Sequence, residues 1–282
     1  MSKNINMDFP KNFDLSGKSA LITGATGLLG VEHAKALLEI GCKVILTDIN
    51  DEKLVAKKKL LGRKFNEALI MTFIMDVSDK KSIELVRDQL TNHNIYIDIL
   101  LNNAAVNPSF ENKKNIFSRL ENFPEDQWDI QIEVGLKGAF LCCQIFGSLM
   151  SKSDKKGVIL NIASDLSVFS PDQRIYKKKD ISDDNQVVKP ITYSIVKTGL
   201  IGLTRYISTY WSEHGVRCNA LSPGGVYNNQ DEEFVKNLTN LIPMGRMAKK
   251  DEYKGAIQFL CSDASSYMNG QNIVMDGGRS IW

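Results

Sequence analysis

Three glycines at three-residue spacing, Gly24, Gly27 and Gly30, follow a short apolar run over residues 19–23 and constrain the fold of this chain more than any other feature. Apolar residues recur at helical spacing after Gly30, so the pattern predicts a strand, a tight turn and a helix in that order. Glycine lets the backbone adopt positive φ and approach a ligand closely, and the N-terminus of the new helix attracts negative charge. The turn is therefore a candidate site for a pyrophosphate, although a plain glycine-rich turn would show the same pattern.

A carboxylate at the end of the next apolar run supports the interpretation of this turn as a nucleotide-binding site. Residues 43–48 are a predicted second strand that ends at Asp48. At this place a carboxylate can accept hydrogen bonds from both ribose hydroxyls of an adenosine, and it would repel a 2′-phosphate. No arginine lies within residues 47–51, so the sequence predicts NAD rather than NADP, although Lys53 could weaken that preference. The alternative for Asp48 is a solvated turn residue.

Length and composition fit one α/β domain and argue against several classes of partner. The chain has 282 residues, 43% of them apolar, and 35 basic against 33 acidic residues give a formal charge of +2. This balance argues against a nucleic-acid partner, because phosphate-binding proteins usually carry a concentrated basic excess. Neither a signal-peptide core nor a run of about eighteen apolar residues is present, so we expect no membrane span and a cytoplasmic location. The five cysteines lack metal-ligand spacing, which predicts buried thiols and no metal site.

Seven short apolar runs alternate with segments of helical periodicity. The predicted strands are residues 18–23, 43–48, 69–77, 97–102, 157–163, 215–222 and 271–275, and the main predicted helices are residues 51–64, 80–93, 126–150, 192–213 and 250–261. This alternation predicts an α/β fold, a Rossmann-type doubly wound parallel sheet of about seven strands in a single domain. Residues 1–15 form an N-terminal extension. Residues 171–190, where the apolar period disappears and charges dominate, form an inserted surface loop or lid.

Polar and small residues follow two of the predicted strands. In an open parallel sheet, ligands bind beyond the carboxyl ends of the strands. Asp76 and Val77 end the third strand and could contact an adenine, although a capping role beside Ser78 at the start of the next helix is the alternative. The fourth strand runs into residues 103–105, which are polar and then small, as suits a backbone that passes close to a cofactor or simply turns.

A tyrosine and a lysine lie four residues apart on the predicted helix that follows the fifth strand. Tyr193 and Lys197 therefore share one helix face. A phenol with a pKa of about 10 is a poor base at neutral pH, but a neighbouring ammonium and a positive nicotinamide would favour the phenolate. Ser164, at the carboxyl end of the fifth strand, can donate to the same substrate oxygen. The three side chains predict a site for hydride transfer between an alcohol and a carbonyl.

From Lys18 to about Gly278 the chain resembles the short-chain dehydrogenase/reductase family. The motifs that carry the resemblance fall in the family's order: Thr23-Gly24 with Gly27 and Gly30, Asp48, Asp76-Val77, Asn102-Asn103-Ala104, Ser164, Tyr193-x-x-x-Lys197, Pro223-Gly224 and Met275-Asp276-Gly277-Gly278. The resemblance implies that Ser164 and Tyr193 bind the substrate oxygen and that Tyr193 acts as acid and base. It implies that Lys197 binds the nicotinamide ribose and lowers the pKa of Tyr193.

The same resemblance implies a set of cofactor contacts and an assembly. The implied contacts are Gly24, Thr26, Gly27, Leu28, Leu29, Gly30, Asp48, Ile49, Asp76, Val77, Asn103, Ala104, Ala105, Tyr193, Lys197, Pro223, Gly224 and Val226. We expect a small-molecule substrate and a homodimer or homotetramer.

The chain departs from the family's pattern at several places. The glycine spacing is similar to the extended, nucleotide-sugar-modifying branch, but the chain ends just after Gly278 as the compact branch does, which favours the compact branch. Ala105 stands where the family has a glycine. Gly135 stands where many members carry an asparagine for a water-linked proton relay, so proton transfer must use another route. Ser164 lies unusually far before Tyr193, which the insertion explains; Ser167 is the alternative serine.

Three functions remain open at this stage. Residues 221–229 and 241–246 are similar to bacterial members associated with flagellin modification and surface-glycan biosynthesis, which favours an NAD-dependent oxidoreductase acting on a sugar or sugar derivative. The alternatives are a non-catalytic NAD-binding regulator and a nucleotide-sugar epimerase or dehydratase. The presence of all three catalytic residues favours an enzyme, and the absence of a separate substrate domain argues against the epimerase.

The insertion could bind a phosphorylated or nucleotide-linked substrate. It carries a basic cluster of four side chains, Arg174, Lys177, Lys178 and Lys179, that could contact an anionic group. Three carboxylates, Asp180, Asp183 and Asp184, nearly balance this charge. The alternative is therefore an ordinary solvated loop of mixed charge.

Overall fold

A seven-stranded parallel sheet forms the centre of the molecule. The computed structural model describes residues 10–106 and 118–282. The strands are β1 Ser19–Thr23, β2 Lys43–Asp48, β3 Ile70–Ile74, β4 Ile99–Asn102, β5 Gly157–Ile162, β6 Val216–Pro223 and β7 Asn272–Met275. Their order across the sheet is β3-β2-β1-β4-β5-β6-β7, and every neighbouring pair is parallel. The prediction of a doubly wound, seven-stranded α/β fold is confirmed.

Helices cover both faces of the sheet. They are α1 Gly30–Leu38, α2 Asp51–Gly62, α3 Lys80–Asn92, α4 Glu125–Ser151, α5 Ile191–Tyr210, α6 Glu232–Thr239 and α7 Lys254–Cys261. Side-chain carboxylates and amides begin several of them. Asn50 accepts from the Lys53 N–H at the start of α2, and Asp79 accepts from the Lys81 N–H at the start of α3.

The hydrophobic core has two layers because successive strand residues point to opposite faces of the sheet. On β1, Ile22 belongs to the cluster that packs against α1 and α7, whereas Leu21 belongs to the cluster that packs against α3 and α4. All five residues of β1 are buried, as expected for a strand in the middle of a covered parallel sheet. The five cysteines are free and buried.

The longest helix, α4, contains two π-helical turns, Glu133–Lys137 and Cys143–Gly147. Its glycines let neighbours approach closely: a Cβ on Gly135 would lie 2.6 Å from Val196 Cγ1 of α5, and one on Gly138 would lie 2.8 Å from Val77 Cγ2. By length and composition α4 could cross a membrane, but 56% of its most apolar window is buried inside the protein. That burial is typical of a core helix.

Several predicted boundaries move for local reasons. The third strand ends at Ile74 rather than at residue 77, because the Asp76 N–H donates to Ser82 Oγ instead of to a neighbouring strand and the chain then turns around Asp76. The sixth strand begins after Gly215, whose φ of +73° is left-handed and breaks the strand.

The predicted extension and insertion have little regular structure. In the extension, residues 10–15 contain one 3₁₀ turn, Lys11–Phe13, and end at the buried Leu15; residues 1–9 lie outside the described part of the chain. In the insertion, two short 3₁₀ turns, Gln173–Tyr176 and Asp183–Asn185, are the helical segments. Ile175 packs into a small cluster with Leu238, Ile242 and Met247, which ties the insertion to α6 and the loop after it.

Candidate active site

A cavity of about 730 Å³ opens beyond the carboxyl ends of the strands. It is lined by nearly all of the residues that the sequence predicted as a site, namely Gly24, Thr26, Gly27, Leu28, Leu29, Asp48, Ile49, Asp76, Val77, Asn103, Ala104, Ala105, Ser164, Tyr193, Lys197, Pro223, Gly224 and Val226. Gly30 does not line the cavity. A Cβ there would lie 2.7 Å from the Gly24 carbonyl oxygen, so Gly30 serves the close packing of the turn against α1.

The glycine turn has the shape that a pyrophosphate needs. Gly24 has a φ of +59°, and a Cβ on it would lie 2.7 Å from Ala104 Cα, so no other residue fits there without strain. Gly27 lines the cavity, and the nearest protein atom to a Cβ built on it is the Gly24 carbonyl oxygen at 3.3 Å. Its open side therefore leaves room for a ligand against the backbone. No side chain caps α1 at Leu29, so the residues present fit a dinucleotide phosphate.

The turn after β4 is fixed to the glycine turn by hydrogen bonds. The Asn103 side-chain amide donates to the carbonyl oxygens of Thr23 and Gly24, both at 3.0 Å. The backbone N–H groups of Asn103 and Ala104 donate to Thr23 Oγ1, also at 3.0 Å each. These bonds explain why a polar residue and then a small one follow β4: the first holds the turn, and the second lets it pass Gly24.

Two carboxylates line the cavity near the glycine turn. Asp48 Oδ2 accepts from Thr26 Oγ1 at 2.6 Å and from the Thr26 N–H at 3.2 Å, so this carboxylate lies beside the turn. Asp76 Oδ1 accepts from the Ser78 hydroxyl at 2.6 Å and from the Ser78 N–H at 2.9 Å. Asp76 thus stabilises the turn that leads into α3, whose N-cap is Asp79, and it also borders the cavity.

The three predicted catalytic residues lie together at the other end of the cavity. Tyr193 is in the first turn of α5 and Lys197 is one turn later, where its Nζ donates to the Ile162 carbonyl oxygen at 2.8 Å. Lys197 Nζ is 5.8 Å from the centre of the Tyr193 ring. Ser164 follows β5 and lines the same cavity as Tyr193. Its hydroxyl donates to Asp165 Oδ1 at 2.8 Å, so Asp165 orients it.

Burial dominates the protonation of these groups. It raises the pKa of Tyr193, an effect that the hydrogen bond with Ser164 opposes and the nearby Asp165 reinforces. Burial also lowers the pKa of Lys197 to about 8, and the charge of Lys189 adds to this. That Lys197, together with a bound nicotinamide, lowers the pKa of Tyr193 stays a prediction.

Several cavity residues were missed by the sequence reasoning. Lys189 Nζ lies 3.6 Å from the centre of the Tyr193 ring. Arg279 donates through a guanidinium nitrogen to Asp165 Oδ2 at 3.2 Å, and both side chains are buried in the cavity wall. Lys189 lies four residues before Tyr193, just as Lys197 lies four residues after it. This spacing could have indicated Lys189 as a residue of the site. Nothing local in the sequence indicates the partner of Arg279.

The structure favours the alternative of a solvated, mixed-charge loop for the basic cluster of the insertion. Arg174 is paired with Asp172 at 2.7 Å and Lys177 with Asp183 at 2.7 Å, and these cations are exposed. None of Arg174, Lys177, Lys178 and Lys179 lines the cavity. Neighbouring carboxylates neutralise two of them within the insertion. What the insertion contributes to the cavity is Ile175, Tyr176 and Lys189.

Two other residues considered from the sequence, Ser167 and Gly135, do not line the cavity. The Ser167 hydroxyl is 3.0 Å from the Ser222 hydroxyl and does not line the cavity, which leaves Ser164 as the serine beside Tyr193. Gly135 is buried against Val196 and does not line the cavity, so its small size serves helix packing. Within residues 10–106 and 118–282, no group of three or more metal-ligating side chains could hold a metal ion.

A glycine turn, an acidic strand end and a serine–tyrosine–lysine group around one cavity define a protein of the dinucleotide-binding oxidoreductase class. The chain belongs to the short-chain dehydrogenase family: the family model "short chain dehydrogenase" matches residues 18–176, and "Enoyl-(Acyl carrier protein) reductase" matches residues 181–280. As a member of this family it is an oxidoreductase.

Similar proteins cover almost the whole chain. It is 29% identical to an NAD-dependent glycerol dehydrogenase of Listeria innocua, over 97% of this chain and 98% of the relative. It is 30% identical to a 2-dehydro-3-deoxy-D-gluconate 5-dehydrogenase of Dickeya dadantii, over 94% and 96%. A crystal structure of a gluconate 5-dehydrogenase from Burkholderia cenocepacia, in complex with NADP and tartrate, superposes with a TM-score of 0.81 at 27% identity, covering 96% of this chain and 98% of that one.

Proposed function

We propose that this protein interconverts a secondary alcohol and a carbonyl on a sugar, a polyol or a related derivative, with NAD as its cofactor. One observation carries the proposal: Ser164, Tyr193 and Lys197 line the same cavity as the glycine turn and Asp48. Lys197 lies one helical turn beyond Tyr193. This arrangement supplies both a proton-transfer group and a cofactor cradle, which a structural role does not need.

Each catalytic side chain has a distinct role in this proposal. A nicotinamide cofactor bound along the cavity would supply the hydride acceptor for an alcohol and the hydride donor for a carbonyl. Tyr193 receives the alcohol proton or returns it to the carbonyl oxygen, and Ser164 holds that oxygen by a hydrogen bond. Lys197 uses one of its three donors on the Ile162 carbonyl, which leaves donors for the nicotinamide ribose.

The choice of NAD is supported by Asp48 and by a relative. Asp48 is fixed beside the glycine turn, where a 2′-phosphate would meet a negative charge. The Listeria relative is named as NAD-dependent, whereas the Burkholderia structure holds NADP. Proteins similar to this one thus differ in their cofactor, so the choice has to be argued from the residues of this chain. Here Asp48 favours NAD.

Names of similar proteins support the substrate class. The names of two similar proteins, a glycerol dehydrogenase and a 2-dehydro-3-deoxy-D-gluconate 5-dehydrogenase, refer to a polyol and a sugar acid. A place in surface-glycan biosynthesis, a cytoplasmic location and a homodimer or homotetramer complete the proposal. The first rests on the resemblance of residues 221–229 and 241–246, the second on the family to which the chain belongs, and the third on that family and on the exposed aromatic residues of α5.

Paired substitutions test the catalytic assignment. A panel of polyols, sugars, sugar acids and sugar phosphates is screened for NADH formation from NAD. On the best substrate, Tyr193→Phe should lower kcat by about 10²–10⁴, because the proton-transfer group is lost. NADH binding, measured by titration calorimetry, should change little, since the glycine turn and Asp48 are untouched.

Matched serines provide the control. Ser164→Ala should lower kcat/KM strongly, whereas Ser167→Ala, whose hydroxyl contacts Ser222 instead, should leave it nearly unchanged. Activity of Tyr193→Phe within roughly tenfold of the parent would contradict the assignment. NAD binding without turnover on the whole panel would favour the non-catalytic regulator.

A further inference from the structure

A buried ion pair lies in the cavity wall beside the catalytic serine. Arg279 donates through one terminal nitrogen of its guanidinium to Asp165 Oδ2 at 3.2 Å, and the two side chains are 7% and 5% exposed. Both residues line the cavity. Asp165 Oδ1 in turn accepts from the Ser164 hydroxyl at 2.8 Å, so two successive hydrogen bonds connect the guanidinium to this serine. The roles proposed above for the glycine turn and for the serine–tyrosine–lysine group do not account for this pair.

The segment that carries Arg279 is held in place by its own hydrogen bonds. Asp276 Oδ1 accepts from the Gly278 N–H at 2.9 Å and Asp276 Oδ2 accepts from the Ser280 N–H at 2.7 Å, so one carboxylate bridges the residues on either side of Arg279. The guanidinium carbon lies 4.9 Å from the centre of the Phe169 ring. A guanidinium held in this way is positioned before a ligand binds, which reduces the entropy lost on binding.

The guanidinium of Arg279 has more donors than the protein uses. An arginine side chain carries five N–H donors in a rigid plane. Among the described residues, the bond to Asp165 is the single hydrogen bond of the Arg279 side chain. Within that part of the chain, no nitrogen of this side chain is both fully enclosed by protein and unpaired. The unused N–H groups therefore reach the open space of the cavity, where a ligand can accept from them.

The Asp165 carboxylate has acceptor capacity left beside these donors. A carboxylate can accept about four hydrogen bonds. At Oδ1, Asp165 accepts from the Ser164 hydroxyl and from the Leu166 N–H, the latter at 2.9 Å, and at Oδ2 it accepts from Arg279. Oδ2 can therefore take a further donor. The pair offers a ligand both donors and an acceptor, and its two charges balance one another.

A hydroxyl group matches this combination better than other oxygen groups do. It accepts from the guanidinium and donates its proton to the carboxylate, and it adds no charge to a balanced pair. A ligand carboxylate would accept from Arg279 but would meet the negative charge of Asp165. A methylene group would leave the buried donors without a partner. Because Asp165 also bonds to Ser164, the hydroxyl that the pair binds adjoins the reacting oxygen.

We propose that Arg279 and Asp165 form a subsite for a second hydroxyl group of the substrate, on the carbon next to the alcohol that Ser164 and Tyr193 hold. The inference rests on the proposed function and narrows it: the pair selects a vicinal diol over a simple secondary alcohol and over a 2-hydroxy acid. Arg279 and Asp165 thus determine specificity, and neither transfers the hydride or the proton.

Binding of three four-carbon alcohols tests this subsite without turnover. Butane-2,3-diol, butan-2-ol and 2-hydroxybutanoate each have a hydroxyl on the second carbon, and the group beside it is a second hydroxyl-bearing carbon, a methylene and a carboxylate, respectively. Each configuration is titrated by calorimetry into protein saturated with NADH, which cannot accept a hydride from an alcohol. The wild-type protein should bind the diol at least roughly tenfold more tightly than the other two, because only the diol satisfies both members of the pair.

Variants of the pair separate hydrogen bonding from structure. Arg279→Met should weaken binding of the diol by roughly tenfold to hundredfold and leave butan-2-ol nearly unchanged. Because this variant leaves the Asp165 carboxylate without its partner, Arg279→Met is also combined with Asp165→Asn, which buries no unpaired charge and should show the same loss. Arg246→Met is the control: this arginine is 45% exposed, pairs with Glu252 and does not line the cavity, so the variant should bind the diol as the wild-type protein does.

The outcomes distinguish this inference from the proposed function. If the wild-type protein prefers the diol and the Arg279 variants do not, while no alcohol of the panel is oxidised, the subsite stands and the proposed activity falls. If an alcohol of the panel is oxidised in a Tyr193-dependent way but the diol and butan-2-ol bind equally well, the activity stands and the subsite falls. Tighter binding of 2-hydroxybutanoate, an equal loss of diol and butan-2-ol in both Arg279 variants, or no binding of the diol at saturating concentration also overturns the subsite.

Discussion

The Asp48 carboxylate is held in one orientation by donors on both sides. Thr26 donates to Oδ2 through its hydroxyl and its N–H, and the Asn50 N–H donates to Oδ1 at 3.2 Å. A carboxylate fixed in this way cannot easily turn away from a ligand. Two like charges about 4 Å apart repel by roughly 1 kcal/mol in water and by roughly 4 kcal/mol near a protein surface. The repulsion is therefore large enough to decide between NAD and NADP.

Removing the charge of Asp48 should relax the cofactor choice. Wild-type protein should have the higher kcat/KM with NAD, and Asp48→Asn, which keeps an acceptor for Thr26, should lower the NAD to NADP ratio by at least roughly tenfold. Asp76→Asn is the matched control, because this carboxylate also borders the cavity but is hydrogen-bonded to Ser78 in the turn before α3. Steady-state kinetics with both cofactors measure the ratio. A wild-type preference for NADP would contradict this role of Asp48.

At the residue scale, the sequence predicts what depends on local spacing. Tyr193 and Lys197 share a helix face because they lie four residues apart, and that much follows from helical geometry. The cations of the insertion do not follow such a rule. Whether a lysine is solvated, like Lys177 beside Asp183, or directed into the cavity, like Lys189, depends on which distant side chains hold the backbone. Gln173, sixteen residues away, holds Lys189, and no pattern in the sequence reveals that contact.

At the scale of the elements, all seven strands are predictable because each is a short apolar run. The five inner strands are largely buried, whereas the edge strands β3 and β7 are only partly buried. The strand ends are less predictable, because side-chain contacts decide them, as the hydrogen bond from the Asp76 N–H to Ser82 Oγ does for β3. The helix α4 is predictable as a helix, but its π-helical turns are not. Gly135 lies in one of these turns, directly against Val196 of α5, so the contact depends on a helix that lies far along the chain.

The contact between Gly135 and Val196 should therefore be tight enough to measure. Gly135→Ala places a Cβ that would lie 2.6 Å from Val196 Cγ1, and it should lower the free energy of unfolding by about 1–3 kcal/mol, as overpacking does. Val196→Ala removes the obstructing methyl groups. In the double variant, the loss of unfolding free energy should therefore be smaller than the sum of the two single losses by roughly 0.5 kcal/mol or more. Denaturant unfolding of the four proteins measures the coupling.

A glycine in open space provides the control for this cycle. Gly202 lies on the exposed side of α5, and a Cβ there would meet no atom within 4 Å. Gly202→Ala should therefore stabilise the protein by roughly 0.5–1 kcal/mol through helix propensity alone. If the losses of unfolding free energy from Gly135→Ala and Val196→Ala simply add, the two positions are not in steric conflict.

At the scale of the whole molecule, the surface of α5 carries aromatic residues that the chain itself does not cover. Tyr206 is 64% exposed and Tyr210 is 62% exposed, and their rings stack with centres 5.6 Å apart. Exposed apolar residues also occur on α4, including Phe140. Single exposed apolar residues are ordinary, but a stacked aromatic pair on a long helix is typical of a surface that another molecule covers. A second copy of the chain is the occupant that the expected homodimer or homotetramer supplies.

Light scattering coupled to gel filtration should accordingly give a mass of two or four chains for the wild-type protein. Introducing charge into the pair, as Tyr206→Glu with Tyr210→Glu, should shift the protein toward smaller species, because two carboxylates would be buried against an apolar partner surface. Val55→Glu, at a residue that is 58% exposed on α2, is the matched control and should leave the mass unchanged. Circular dichroism checks that the variants keep their helices. A wild-type monomer at micromolar concentration would refute the assembly, and an unchanged mass in the double variant would show that a different surface forms it.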